Sequence, residues 1–130
     1  MFDEVSARPA SAPTAGAATS REDAERAVLR LREMAADLRG CAVLDPEGRV
    51  LAATGDAASW ERAATELFAA ADAARGEPAE HVHVATEDGE VFAVRHRGLA
   101  LVAVAERFTL ASLMVFDMRT VLRELAAAAG

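Results

Sequence analysis

Disulfide chemistry is excluded within this chain, because Cys41 is its only cysteine. A lone thiol is typical of proteins that work in a reducing compartment. Long apolar segments are also missing, since no run reaches the ~18 residues that span a bilayer. The acidic start, Met1-Phe2-Asp3-Glu4, lacks the basic region of a signal peptide. We therefore expect a cytoplasmic protein that does not insert into a membrane.

Positive charge is scarce as well, since the formal net charge is -7 and no basic run offsets it. An acidic surface repels nucleic-acid phosphates, so nucleic acid is not an expected partner. Three chemical motifs are absent: the Walker-type G-x-x-x-x-G-K-[ST] loop, the G-x-G-x-x-G loop and the G-x-S-x-G elbow. We expect no cofactor and no catalytic residue.

The 130 residues suit a single domain preceded by a tail. Residues 2–19 are rich in alanine, proline and serine, a composition typical of disordered segments. The alternative is a short partner-binding segment that uses Phe2 and Val5. We assign residues 1–19 to the tail and residues 20–130 to the domain.

Hydrophobic periodicity predicts an α/β (α+β) domain with the order helix-strand-strand-helix-strand-strand-strand-helix. The helices are expected over about residues 20–38, 59–75 and 110–128, with Leu110 on the buried side of the last one. The strands are expected over about residues 41–44, 49–54, 81–86, 91–96 and 99–105. The sheet should be largely antiparallel, with helices on both faces.

Turn residues set the predicted register. Gly40 is a candidate cap for the first helix, and Asp45-Pro46-Glu47-Gly48 suits a type I turn. Asp88-Gly89 is typical of a two-residue hairpin turn, which would place Glu87 opposite Glu90. Capping of the first helix is expected from Thr19 or Ser20, and of the second from Asp56 or Ser59.

The three histidines form the only candidate chemical cluster. The predicted register places His81 opposite His96 and puts His83 on the same face of the sheet. Paired Cβ atoms lie ~5 Å apart, so three imidazoles can in principle bind Zn²⁺. No carboxylate or thiol is evidently placed to complete such a site. We favour a polar patch near a sheet edge and assign no metal.

Other reactive side chains are interpreted as structural. Cys41 begins an apolar strand, which favours a buried thiol over a nucleophile. Arg95, Arg97 and Arg107 are expected at solvated strand ends, although an arginine there can act as a finger in a partner's active site. Phe116 falls outside the buried stripe of the last helix, so it lies under the preceding loop or on a contact surface.

The first hairpin and the last helix resemble the Roadblock/dynein light-chain family. The resemblance begins at Leu38-Arg39-Gly40, continues through residues 41–48, and includes residues 113–119, which look like the last helix of bacterial members. It spans residues 20–128. It implies a five-stranded antiparallel sheet with two helices on one face and one on the other.

Family members usually form homodimers in which the third strands pair and the middle helices pack side by side. Carried over to this sequence, the resemblance places residues 81–86 at the dimer edge and residues 59–75 on a partner-facing platform. The implied dimer-interface candidates are Leu67, Phe68, His81, Val82, His83 and Val84.

Bacterial members commonly associate with small Ras-like GTPases, some as GTPase-activating partners and others as scaffolds. The resemblance therefore implies a homodimeric, non-enzymatic regulator or scaffold that binds such a GTPase through its middle helix. The candidate contact residues are Glu61, Arg62, Thr65 and Glu66. One alternative is a structural assembly module without GTPase regulation. Another is a small-molecule or metal sensor with a pocket lined by His81, His83 and His96.

Overall fold

The computed structural model describes residues 18–129 of the chain. Phe2, Val5 and nearly all of the predicted tail lie outside the described residues. Three helices and five strands follow one another in the predicted order. The helices are α1 (Arg21–Met34), α2 (Ala57–Arg75) and α3 (Ala111–Ala128). The strands are β1 (Leu38–Leu44), β2 (Val50–Ala53), β3 (His81–Ala85), β4 (Glu90–His96) and β5 (Leu99–Ala105).

The five strands form one antiparallel sheet in the order β2-β1-β5-β4-β3. Helices α1 and α3 pack on one face and α2 packs on the other. The predicted fold class is confirmed, with two helices on one face and one on the other. Strands β2 and β3 lie at the two edges. No helix among residues 18–129 is long and apolar enough to cross a membrane.

The continuous apolar sequence of β1 follows from burial on both of its faces. Cys41 and Val43 point into the apolar cluster beneath α1 and α3, whereas Ala42 and Leu44 point into the cluster beneath α2. Successive residues of a strand face opposite sides of the sheet. A central strand covered by helices on both faces therefore needs apolar residues at every position.

Helix ends follow the local sequence signals. Ser20 Oγ accepts a hydrogen bond from the Asp23 N–H at 3.0 Å at the start of α1. Asp56 caps α2 by accepting from the Ser59 N–H at 3.0 Å. Gly76 ends α2 in the left-handed conformation, with φ 76°. Both predicted N-caps are confirmed.

The start of α3 differs from the prediction. The helix begins at Ala111, and Leu110 precedes it with extended backbone angles and no side-chain cap hydrogen bond. Leu110 is therefore not on the buried side, and 64% of its surface is exposed. The helical spacing of the sequence placed Leu110 in the apolar stripe. Its side chain is not on that stripe because the backbone at Leu110 is extended and not helical.

The end of α1 also differs. The helix stops at Met34, and residues 38–40 belong to β1, where Leu38 pairs with Ala105. Gly40 is therefore not a helix cap. It is buried in the strand, and a Cβ atom there would lie 2.7 Å from Thr54 Oγ1 and 3.5 Å from Trp60 Cζ2. The glycine is required by close packing, because sheet pairing of residues 38–40 prevails over the helical pattern.

Gly40→Ala is expected to destabilise the fold by about 1–3 kcal/mol, the usual cost of overpacking. The added methyl group would displace Thr54 Oγ1, which accepts a hydrogen bond from the Cys41 N–H at 3.0 Å. Urea unfolding measures the loss. Combining it with Thr54→Ala removes the clash, so the double variant should lose less stability than the sum of the two single losses. Strict additivity would contradict this explanation.

The first hairpin has the predicted turn. The Gly48 N–H donates to the Asp45 carbonyl at 2.9 Å, and Gly48 adopts φ 83°. Asp45 Oδ1 accepts from the backbone N–H groups of Glu47 and Arg49 at 2.9 and 3.0 Å. The aspartate side chain thereby fixes the turn that joins β1 to β2.

The second hairpin turns one residue earlier than predicted. The Thr86 N–H donates to the Gly89 carbonyl at 2.8 Å, which leaves Glu87-Asp88 at the tip. The predicted pairing of Glu87 with Glu90 is wrong, since Glu90 lies opposite Ala85. Thr86 Oγ1 accepts from the Gly89 N–H at 3.1 Å, and a Cβ on Gly89 would lie 2.6 Å from the Ala105 carbonyl oxygen. A glycine is therefore needed at position 89 because the neighbouring strand is too close to allow a side chain.

Candidate functional site

Strand β3 leaves one of its edges open. The Arg95 N–H donates to the Glu80 carbonyl and the Thr86 N–H to the Gly89 carbonyl, both at 2.8 Å. Hydrogen-bonded and non-bonded pairs alternate along antiparallel strands. The backbone groups of His81, His83 and Ala85 therefore point away from β4. No strand among residues 18–129 pairs with that edge, so it is a template for another strand.

The side of β3 nearer to α2 is apolar and incompletely covered. Val82 and Val84 belong to this face, and Val84 is 40% exposed. Helix α2 packs mainly over β1 and β2, and its C-terminal half reaches β4 and Val82 but leaves Val84 partly uncovered. Leu67 on α2 is half-buried, whereas Phe68 lies inside the core of the single chain. The open edge therefore adjoins exposed apolar surface.

The opposite side of β3 carries two of the histidines. His83 stacks on Phe92 with ring centroids 4.4 Å apart, and its Nε2 lies 2.6 Å from Oε1 of the buried Glu90. His81 Nδ1 lies 3.2 Å from a guanidinium nitrogen of Arg119. Each imidazole thus has its own polar neighbour within the chain.

The predicted histidine pairing is corrected by this register. His81 lies opposite Val94 and His83 lies opposite Phe92, while His96 pairs with Leu99 of β5. His81 and His83 line a groove beside α3, and His96 is not part of it. Within residues 18–129, no group of three His, Cys, Asp or Glu side chains is placed to hold a metal ion.

The four predicted contact residues on α2 divide into two kinds. Glu61 Oε2 accepts a hydrogen bond from the Val50 N–H at 2.8 Å, which ties α2 to β2. The Thr65 hydroxyl donates a hydrogen bond to the Glu61 carbonyl at 2.8 Å, within α2. Arg62 and Glu66 are exposed, and neither forms an ion pair with another of the described residues. Arg62 and Glu66 are therefore the two side chains left free to contact a partner.

Arg95 is not the solvated strand-end residue that the sequence predicted. Its guanidinium forms a two-point ion pair with Asp72, at 2.9 and 3.1 Å, and lies 3.9 Å from the centroid of the Phe68 ring. It also donates to the Ala79 carbonyl at 3.1 Å. These contacts fasten the C-terminal half of α2 to β4. Arg97 and Arg107 are exposed, as expected.

Asp72→Asn is expected to lower the melting temperature at pH 7. It should also reduce the fall in melting temperature as the pH is lowered. Hydrogen bonds from Arg95 and from the Ala79 N–H hold the pKa of Asp72 below its usual range. A depressed carboxyl pKa stabilises the fold fully above the unfolded value of about 3.9, and this stabilisation is lost as pH falls through the folded value.

The difference in melting temperature between Asp72→Asn and the parent chain should therefore narrow below about pH 4. Thermal unfolding followed by circular dichroism from pH 7 to pH 3 measures this difference. Glu66→Gln removes an exposed carboxylate without an ion pair and serves as the control. A difference that stays constant over this pH range would contradict the assignment.

Cys41 is buried with no exposed surface, and burial raises the pKa of its thiol to about 11. A neutral thiol without solvent access is a poor nucleophile. The prediction of a structural thiol is confirmed.

Comparison with protein-family models and with curated protein sequences finds no match. Solved structures do match. The chain is similar to a Roadblock/LC7 domain from Streptomyces avermitilis, at TM-score 0.68 and 18% identity, over 80% of this chain and 95% of that one. It is also similar to the gliding protein MglB from Thermus thermophilus, at TM-score 0.68 and 17% identity, over 91% and 93% of the two chains.

A third similar structure is MglB in a tetrameric arrangement, at TM-score 0.61 and 19% identity, over 82% of this chain and 90% of that one. Identities this low establish similarity of fold. The chain therefore has the Roadblock/LC7 fold that its sequence resembles. The similarity extends over most of the described residues and nearly the whole of each matched chain.

Proposed function

We propose that this Roadblock-fold chain is a homodimeric, non-enzymatic regulator or scaffold that binds a small Ras-like GTPase through the exposed face of α2. The observation that carries the homodimer is the open edge of β3 beside the exposed side chain of Val84. An edge of this kind invites strand pairing with another chain. The GTPase partner is proposed from the resemblance of the sequence to bacterial Roadblock members. The single cysteine of the chain, Cys41, is buried. This agrees with a cytoplasmic location, which we also propose.

Strand β3 of a second copy pairs with the open edge of β3 in antiparallel orientation, and a two-fold axis relates the two copies. The outward-facing groups of His81, His83 and Ala85 set the register, in which His83 lies at the axis and His81 faces Ala85 of the partner subunit. Three bonded pairs supply about six N–H···O bonds. Val82 and Val84 of both copies then lie together on the α2 side, while the buried Phe68 holds each α2 in place.

The exposed surface of α2 suits a protein partner because two charged side chains without ion pairs lie beside small alanine side chains. Arg62 and Glu66 are four residues apart and therefore adjacent on the helix surface. Exposed alanines at positions 63, 69 and 70 allow the backbone of a partner to approach closely. MglB, whose fold this chain shares, has been observed in a tetrameric arrangement, which agrees with a chain that works as an oligomer.

Calorimetric titration with a small Ras-like GTPase encoded near this gene tests the proposal. The GTPase is loaded with GDP or with a non-hydrolysable GTP analogue, and we expect binding in at least one state. Arg62→Glu should weaken it about tenfold, equivalent to about 1.4 kcal/mol. The matched control is Arg49→Glu, an exposed arginine outside α2.

Absence of binding in both nucleotide states, or equal weakening by the control, would contradict a GTPase platform on α2. The rate of GTP hydrolysis in the same mixtures separates two forms of the proposal. A faster rate identifies a regulator, whereas binding with an unchanged rate identifies a scaffold.

A further inference from the structure

Exposed apolar side chains concentrate at the start of α3. Six large apolar residues of the described chain are exposed, and four of them fall between positions 108 and 116. These four, which we call the α3 patch, are Phe108, Leu110, Leu113 and Phe116, with exposures of 84, 64, 54 and 65%. Exposed apolar side chains concentrated in one segment are typical of interaction sites in soluble proteins.

A groove of about 510 Å³ runs between β3 and α3 next to the patch. Phe116 belongs to both features, because it lines the groove and lies one helical turn from Leu113. The groove also contains Val115, which is half-buried, and two arginines, Arg119 and Arg123. It is therefore a concave site with an aromatic wall and a basic end.

Three arginines around this surface lack a carboxylate partner among residues 18–129, namely Arg107, Arg119 and Arg123. Two of the nearby acidic groups are already engaged, since Glu90 is bound to His83 and Glu124 to Arg30, and Asp117 is buried. The result is a local excess of positive charge on a chain whose net charge is -7. Guanidinium groups favour two-point contacts with carboxylates.

Backbone strain marks the same region. Phe108 adopts φ 64°, a left-handed conformation that is rare for a bulky aromatic residue. Its ring is displayed to solvent, with the Arg107 guanidinium 4.8 Å from the ring centroid. Strained residues cluster at functional sites, so the display of Phe108 agrees with a role for the α3 patch in binding.

We propose that the α3 patch and its groove bind an acidic peptide segment of a partner protein. An aromatic or large aliphatic side chain of the peptide enters the groove against Phe116, and neighbouring Asp or Glu carboxylates contact Arg119 and Arg123. The concave shape fits a side chain better than a flat lipid surface. Helix α2 lies on the other face of the sheet, so this site does not overlap the proposed GTPase platform. The groove does border the edge of the proposed dimer, because His81 and His83 line it.

Selection of a random peptide library on the full chain tests the proposal directly. We expect enrichment of peptides in which Phe, Trp or Leu is flanked by Asp or Glu. Fluorescence anisotropy with an enriched peptide should show at least tenfold weaker binding to Phe116→Ala and to Arg123→Glu. The matched controls are Leu29→Ala and Arg49→Glu, which alter an exposed leucine and an exposed arginine elsewhere.

Several outcomes would overturn the proposal. These are no enrichment, enrichment without acidic residues, or equal binding to Phe116→Ala and the parent chain. Binding to vesicles of phosphatidylglycerol that Arg123→Glu abolishes would assign the surface to a membrane instead. A smaller sedimenting species for Phe116→Ala would assign it to contact between copies of this chain. GTPase binding is measured on the same variants, so failure at one site is distinguished from failure at the other.

Discussion

Ala85→Pro is expected to convert the proposed dimer into monomers that remain folded. The Ala85 N–H points to the open edge of β3 and makes no bond to β4, so proline removes no hydrogen bond within the chain. The preceding residue is already in a strand, which is the conformation that proline favours before it. At the proposed dimer edge, however, the proline ring blocks strand pairing and eliminates one N–H donor per copy.

Sedimentation across a range of concentrations measures the effect, and we expect the dissociation constant to rise by at least a hundredfold. Ala85→Thr is the matched control, because it keeps the N–H and suits a strand. Circular dichroism checks that both variants are folded. A proline variant that is folded and dimerises as tightly as the parent chain would contradict pairing through β3.

Phe92→Ala is expected to cost about 3–5 kcal/mol of unfolding free energy, the usual loss for truncating a buried phenylalanine. Phe92 has no exposed surface and is among the largest fully buried side chains of the described residues. Its ring also supports the imidazole of His83, which stacks on it. Urea unfolding measures the loss, and the edge strand should loosen at the same time.

Phe116→Ala provides the matched control, because it makes the same chemical change at a position that is 65% exposed. Surface substitutions usually change stability by no more than about 0.5 kcal/mol. Equal losses for the two variants would contradict the assignment of Phe92 to the core and of Phe116 to the exposed surface.

Local patterns in the sequence predicted most of the framework. The Ser20 and Asp56 caps, the Gly48 turn and the continuous apolar sequence of β1 are all signals carried by residues close in the chain. Such signals can be evaluated without knowledge of the fold. The element order was therefore predictable, and so was the fold class, with the help of the family resemblance.

The predictions were wrong where residues distant in the sequence determine the local structure. Gly40 resembles a helix cap in sequence, but Thr54 and Trp60 determine why a glycine is needed there. Gly89 resembles a turn residue, but the Ala105 carbonyl leaves no room for a side chain. In both cases a local glycine signal was outweighed by close packing against residues distant in the sequence.

The candidate site was less predictable than the fold for the same reason. The choice of backbone groups that point out of the open edge of β3 depends on the register of the second hairpin, and the predicted register was wrong by two residues. The ion pair between Arg95 and Asp72 joins residues 23 positions apart. The composition of β4 gives no sign of it. Phe116 is the exception, since its departure from the buried stripe was visible in the helical pattern.

Light scattering of the chain mixed with the small Ras-like GTPase proposed as its partner tests the central claim most directly. The GTPase is loaded with the nucleotide that gives binding, and the mass of the eluting complex is measured. We predict a complex that contains two copies of this chain together with the GTPase. A complex with a single copy, or no complex in either nucleotide state with any small GTPase of the same genome, would contradict the claim.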